Sequence, residues 1–305
     1  MNTEAQGIVI GVNGTEGSSA AIREGVLEAK RTGSAVRLVH VVPNCLPTSP
    51  FLLDLPTMLT EAGRQLLDEA RRTAESMAPG LVVEADLLHG SRARELARSA
   101  NGARALYVGS DNRIGIDHLF RGDVCAGVVA RATCPVMVAR VEPAGEPHDT
   151  ILVGVKASSH SAELLAAAFA AADERGSSLI VLHAWMLPSA YADLGTSGPA
   201  LEEWTRYATE ETESLLKDWR TGYPDVEVEL RIVHAEAAQA LVSASEEADL
   251  LVVVRRSHGV PAAMHLGGVA HALLRAARCP VLVVPPGDVA ALPGLVVERA
   301  GALRP

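Results

Sequence analysis

The tripeptide Cys134-Pro135-Val136 returns as Cys279-Pro280-Val281, 145 residues further along the chain. The surroundings return with it. Leu106 to Arg140 reads LYVGSDNRIGIDHLFRGDVCAGVVARATCPVMVAR, and Leu250 to Val284 reads LLVVVRRSHGVPAAMHLGGVAHALLRAARCPVLVV. In each copy an apolar strand runs into a glycine-bearing loop, a short helix and a second strand. A repeat of this length has the size of a whole domain rather than of a solenoid unit. The 305 residues therefore read as a duplication, and each half must bury its own core.

The first half alternates short apolar runs with helical patterns. Gly7 to Val12 (GIVIGV) is an uninterrupted apolar run, the mark of a strand buried on both faces of a parallel sheet, and Val36 to Val42 reads as a second strand. Asn13-Gly14-Thr15 turns the chain, Ser18 is the expected N-cap of the next helix, and Gly33 stops it. A proline-rich loop leads to a helix over about 58–77, with Leu59, Ala62, Leu66, Ala70 and Ala74 at helical spacing. A strand over 81–88 and a helix over 92–99 complete the set. The second half keeps this order, with strands over 151–155, 179–184, 226–233 and 250–254 and helices over 161–175, 201–219 and 237–246. This predicts domains over 1–141 and 150–285, a linker over 142–149 and a mobile tail over 286–305. Strand–helix alternation implies parallel α/β sheets with right-handed crossovers, whose ligands sit where the strand order reverses.

Charge excludes some functions. The net charge is -10, and it is uneven: residues 1–145 hold 15 basic and 16 acidic side chains, residues 146–305 hold 12 and 21. A nucleic-acid surface needs clustered Lys and Arg, so that partner is not expected. Cys45, Cys125, Cys134 and Cys279 form neither a C-x-x-C pair nor a zinc spacing, and Cys134 and Cys279 read as buried small hydrophobes. MNTEAQG lacks a signal-peptide pattern and no apolar run spans a bilayer, so a cytoplasmic protein without membrane contact is expected.

The segments GVNGTEGSSAA, LVHVV and VGSDNRIG...FRGDV...ATCPVMV, echoed by GVKASSHSA, VLHAW and VVRRSHG...LGGV...ARCPVLV, resemble the universal stress protein family in its tandem form. The resemblance implies two doubly wound, five-stranded parallel-sheet domains of the adenine nucleotide alpha hydrolase type, paired through their last strands. The strands over 136–139 and 281–284 are accordingly expected to pair antiparallel within one chain as a pseudo-dimer, with further homodimerisation left open. Members that bind ATP carry an acidic residue after the first strand and the pattern G-x2-G-x9-G-[ST]. In the first half this maps to Asn13, Gly109, Asn112, Gly122 and Asp123, and the implied pocket adds Gly11, Val41, Val108 and Val124. Gly109 and Gly122 match, the first read as bare backbone for a ligand to approach. Asn13 keeps an amide that can hydrogen-bond a base or ribose, and Asn112 tolerates left-handed backbone. Asp123 stands where a hydroxyl should meet phosphate. It is read first as a helix cap that fills the anion site from within, and alternatively as a Mg²⁺ or nucleotide contact.

The second half departs further. Lys156 replaces the acid, Val254 and Ser257 replace glycines, and Gly267 and Gly268 close the pattern, so ATP is not expected there. Lys156, Arg255 and Arg256, with His258, could hold a smaller anion, although solvated surface arginines are the simpler account. The spacing of His258, His265 and His271 fits no zinc site. His40 and His183, equivalent in the repeat, read as satisfied near-core histidines. The acidic helix over 202–217 reads as a solvated face. Nothing matches a nucleophile elbow, a P-loop or H-E-x-x-H. Three function classes follow: a regulatory module with one degenerate nucleotide site, a scaffold working through protein contacts, and, ranked last, a nucleotide hydrolase, for which no general base or arginine finger can be named.

Overall fold

The structure is a computed structural model that describes residues 7–44, 54–110, 124–141, 147–156, 161–186, 198–255 and 266–285. The described residues divide into two compact units: those up to residue 141, with Arg255 and Leu266, form the first, and 147–254 with 267–285 the second.

In the first unit the elements run β1 (Ile8–Gly11), α1 (Glu16–Thr32), β2 (Val36–Val42), α2 (Leu55–Met77), β3 (Val83–His89), α3 (Arg92–Ser99), β4 (Ala105–Gly109), α4 (Val124–Val129) and β5 (Val136–Ala139). The sheet order is β3-β2-β1-β4-β5. Every pairing is parallel, with Ile8 set between Val36 and Ala105 and Leu106 beside Val136. The order reverses between β1 and β4, which makes their C-terminal ends the switch point. All four residues of β1 and of β5 are buried, which is why both read as unbroken apolar runs. The strand β3 lies at the edge of the order, half-buried except at the exposed Glu84 and His89, and carries Glu84 and Asp86. Charged side chains on such a strand discourage pairing with another chain.

The second unit repeats the plan with β6 (Thr150–Val155), α5 (Ser161–Arg175), β7 (Ser178–Trp185), α6 (Gly198–Gly222), β8 (Val228–His234), α7 (Ala237–Ala244), a 3-10 turn over Ser245–Glu247, β9 (Leu250–Val254), α8 (Gly268–Ala276) and β10 (Val281–Val284). Its order is β8-β7-β6-β9-β10, again parallel throughout. The cores differ in content. Leu164, Leu165 and Phe169 of α5 are buried, and the Phe169 ring lies 5.7 Å from Trp219 and 5.4 Å from Tyr223. The first unit packs Ile8, Ile10, Leu38 and Leu106 against a helix rich in alanine and glycine.

Two local expectations change. The N-cap of α1 is Thr15, not Ser18: the Thr15 side chain accepts the Ser18 N–H, and the Ser18 hydroxyl accepts the Asn13 N–H instead. Both residues have the right chemistry, and the backbone's extended conformation at Thr15 selects it. On α2 the buried positions are Gly63, Leu67, Ala70 and Ala74, whereas Ala62 is exposed. Gly63 lets the helix approach the sheet, because a Cβ there would lie 2.8 Å from both His40 and Leu87.

Candidate functional site

The switch point of the first unit begins with a polar turn. After Gly11 and Val12, the Asn13 Oδ1 accepts the Thr15 backbone N–H at 3.1 Å and its hydroxyl at 2.7 Å. This turn, built by an Asn side chain mimicking a backbone acceptor, fixes the start of α1. The expectation that Asn13 offers an amide is met on the acceptor side by the chain itself. The Nδ2 donors have no hydrogen-bond partner among the described residues.

Gly109, at the end of β4, is bare for a different reason from the one its position suggests. A Cβ there would fall 2.0 Å from the Gly17 carbonyl carbon and 2.6 Å from the Ser18 nitrogen. Conversely, a Cβ on Gly17 would fall 2.5 Å from the Ser110 oxygen. The first turn of α1 therefore rests on the end of β4, backbone against backbone. The two glycines are a mutual requirement of packing, and they bring the N-terminal N–H groups of α1 to the sheet's carboxyl edge.

Ser110 follows Gly109 and was not singled out by motif reasoning. Its residue exposure is 5%, its backbone N–H donates to the Ala139 oxygen, and its buried hydroxyl has no hydrogen-bond partner among the described residues. A buried hydroxyl without a partner costs about 1–3 kcal/mol. Only its place directly after a strand-ending glycine could have flagged it. Opposite, the Cys125 thiol donates to the Gly109 oxygen at 2.9 Å, tying α4 to β4. Val41 and Val108 are buried beside the switch point, Gly11 lies 3.3 Å from Leu96 by its would-be Cβ, and Val124 opens α4. Asn112, Gly122 and Asp123 lie outside the described residues.

The histidines fall where satisfied groups belong. The His40 Nδ1 lies 2.7 Å from the Val12 oxygen, and the His183 Nδ1 lies 3.2 Å from the Val155 oxygen. A carbonyl can only accept, so Nδ1 carries the proton in both rings. These paired bonds hold the second strand of each unit to the end of its first. Burial pushes the Cys134 thiol up to about 11, which leaves it protonated and unreactive near neutral pH. Among the described residues no group of three or more His, Cys, Asp or Glu could hold a metal, and no helix is long and apolar enough to cross a membrane.

In the second unit Lys156 is exposed at the end of β6, and Val254 closes β9 where the first unit has Gly109. Arg255 occupies the place of Ser110. Arg255 groups with the first unit: its Nη1 donates to the Val129 oxygen at 2.6 Å, its Nε is buried with no partner among the described residues, and burial lowers its pKa. Gly267 precedes α8 without a side-chain cap, and Gly268 is its first residue. Arg256, Ser257, His258 and His265 lie outside the described residues. Elsewhere a groove of about 990 Å³ opens at the opposite end of the first sheet, lined by Lys30, Arg37, Glu84 and Asn101 among others. It lies at the N-terminal ends of the strands, away from the switch point, and holds none of the motif residues.

Comparison with known proteins points one way. The universal stress protein family profile matches twice, over residues 5–140 and 147–285. A universal stress protein of Mycobacterium tuberculosis is 31% identical over 286 residues, covering 91% of this chain and 96% of the relative. One from Mycolicibacterium smegmatis is 27% identical over 289 residues, covering 92% and 97%. Among solved structures, a universal stress protein from Archaeoglobus fulgidus has a TM-score of 0.72 at 19% identity, over 93% of this chain and 98% of that one.

Proposed function

Since the chain belongs to the universal stress protein family, with two such domains in tandem, we propose that it is a cytoplasmic regulatory module that senses an adenine nucleotide through its first domain alone. The supporting observation is the Ser110 hydroxyl, buried at the first domain's switch point with no partner among the described residues. A buried polar atom that the chain leaves unpaired is a place for a ligand's acceptor. The first turn of α1 lies against Ser110, and Asn13 and the apolar Val41 and Val108 stand at the same carboxyl end of the sheet. That is the donor set and lining a nucleotide needs: N–H groups for phosphate and apolar walls for the base.

The pocket takes Gly11, Asn13, Val41, Val108, Gly109, Asn112, Gly122, Asp123 and Val124, with Ser110 added. Mg²⁺ would offset charge repulsion between Asp123 and phosphate. The second domain is proposed not to bind nucleotide. Valine at the end of β9 puts a branched side chain where the first domain has bare backbone. A smaller anion near Lys156 and the uncapped start of α8 is the most that site would take. Isothermal titration with ATP, with and without Mg²⁺, tests the reading. One site per chain is expected. Two sites would refute the asymmetry, and none under either condition would favour a scaffold working through protein contacts.

A further inference from the structure

The outer face of α6 carries a pair of rings that the core does not use. Trp204 is 51% exposed and Tyr207 58%, and their rings meet edge to face at 6.4 Å. No other aromatic ring among the described residues is exposed, in a chain whose aromatic content is 3%. The helix is not reversed or loosely seated: Ala208, Thr212 and Leu216 are buried on its inner side, and Trp219 stacks on Phe169. The exposed pair therefore belongs to a surface by design of the sequence and not by misplacement. Two large rings left in water forgo the burial that normally retains them, which marks an interaction surface.

The neighbours of the pair select the partner. Around Tyr207, the positions three and four residues away are Glu203, Trp204, Glu210 and Glu211, and helical geometry puts all four beside it. Glu210 is paired with Arg206 at 3.1 Å, whereas Glu203 and Glu211 form no ion pair with a described residue. The rings are thus framed by uncompensated carboxylates, within the half of the chain that carries most of the net charge. Such a face repels phosphate backbones, anionic membrane surfaces and an identical acidic face on a second copy. It favours a guanidinium or ammonium group, which can lie against an aromatic face while its charge meets a carboxylate. The matching helix of the first domain, α2, has no aromatic residue, and its exposed Met58 stands alone.

We infer that the outer face of α6 is a docking surface for an arginine- and lysine-bearing segment of another protein, with Trp204 and Tyr207 as its anchors and Glu203 and Glu211 as its charge partners. This goes beyond the nucleotide reading and does not depend on it.

The test uses the full chain and a fluorescein-labelled synthetic peptide of alternating Arg and Leu, followed by fluorescence anisotropy in moderate salt. The double variant Trp204→Ala with Tyr207→Ala should weaken binding roughly tenfold, as removal of anchoring rings does. Glu203→Gln with Glu211→Gln should weaken it severalfold, with a shallower dependence on salt. Glu61→Gln with Glu75→Gln, on exposed positions of α2, should leave it unchanged. Because all these positions are exposed, thermal melts should coincide with the parent protein. Equal binding by the parent and the aromatic double variant would overturn the inference, since the peptide would then sense only bulk charge. So would a dimer, seen by light scattering, that dissociates in the aromatic variant and is unaffected by peptide: the face would then serve a second copy.

Discussion

The two halves of this chain share a period and a sheet plan yet differ at the one spot where such folds place ligands. The first half has Gly17 and Gly109, where a Cβ on Gly109 would meet the Gly17 backbone and a Cβ on Gly17 the Ser110 oxygen. At the corresponding places the second half has His160 and Val254. The first half leaves a serine hydroxyl buried after β4 with no partner among the described residues, and in the repeat Arg255 stands at the corresponding position. A duplicated domain can therefore keep its fold by keeping its apolar strands while its two switch points diverge independently. The helix α1 needs a glycine seat, and Val254 removes the counterpart of that seat in the second half.

Gly109→Val would strike this difference hardest. Its Cβ would fall among backbone atoms of Gly17 and Ser18, which cannot rotate away. A loss of about 3 kcal/mol or more is expected, read as an early denaturant transition of the first domain. If the variant were as stable as its parent, the glycine seat would not distinguish the domains.

Asp123→Ser restores the hydroxyl of the family pattern and removes a negative charge from the proposed phosphate site. Two charges about 4 Å apart repel by roughly 4 kcal/mol at an effective dielectric of 20, and water screens part of this, so ATP affinity should rise about ten- to a hundredfold. Serine also caps helices, so stability should change by less than about 1 kcal/mol. A weaker, Mg²⁺-dependent affinity would instead make the carboxylate a metal ligand.

Ser110→Ala separates ligand contact from packing, because the two give opposite signs. Removing an unpaired buried hydroxyl should leave stability unchanged or raise it by up to about 1 kcal/mol, while ATP affinity falls about tenfold. Unchanged affinity would remove Ser110 from the site. The smallest effect belongs to Val254→Gly, which should cost about 1 kcal/mol in the second domain from lost packing and added chain entropy. No nucleotide site should appear in titration, since Lys156 and Arg255 remain.

Much of the architecture was fixed before any coordinate. The 145-residue echo and the alternation of strands and helices are legible in the chain, and the limits of β5 and β9 follow from apolar runs, because strands covered on both faces show hydrophobicity as contiguous blocks. The reading of His40 and His183 as satisfied groups followed from their equivalence in the repeat. What the tertiary structure alone decided joins residues distant in sequence. Serine and threonine compete equally for an N-cap until the backbone at Thr15 chooses one. A glycine that could have served a ligand proves to seat a helix 92 residues earlier, at Gly17. Whether a serine hydroxyl is paired, or two rings on an acidic helix meet in water, depends on which side of the helix or strand the rest of the fold covers. Local sequence states what each side chain can do, and only packing determines which groups are left without a partner.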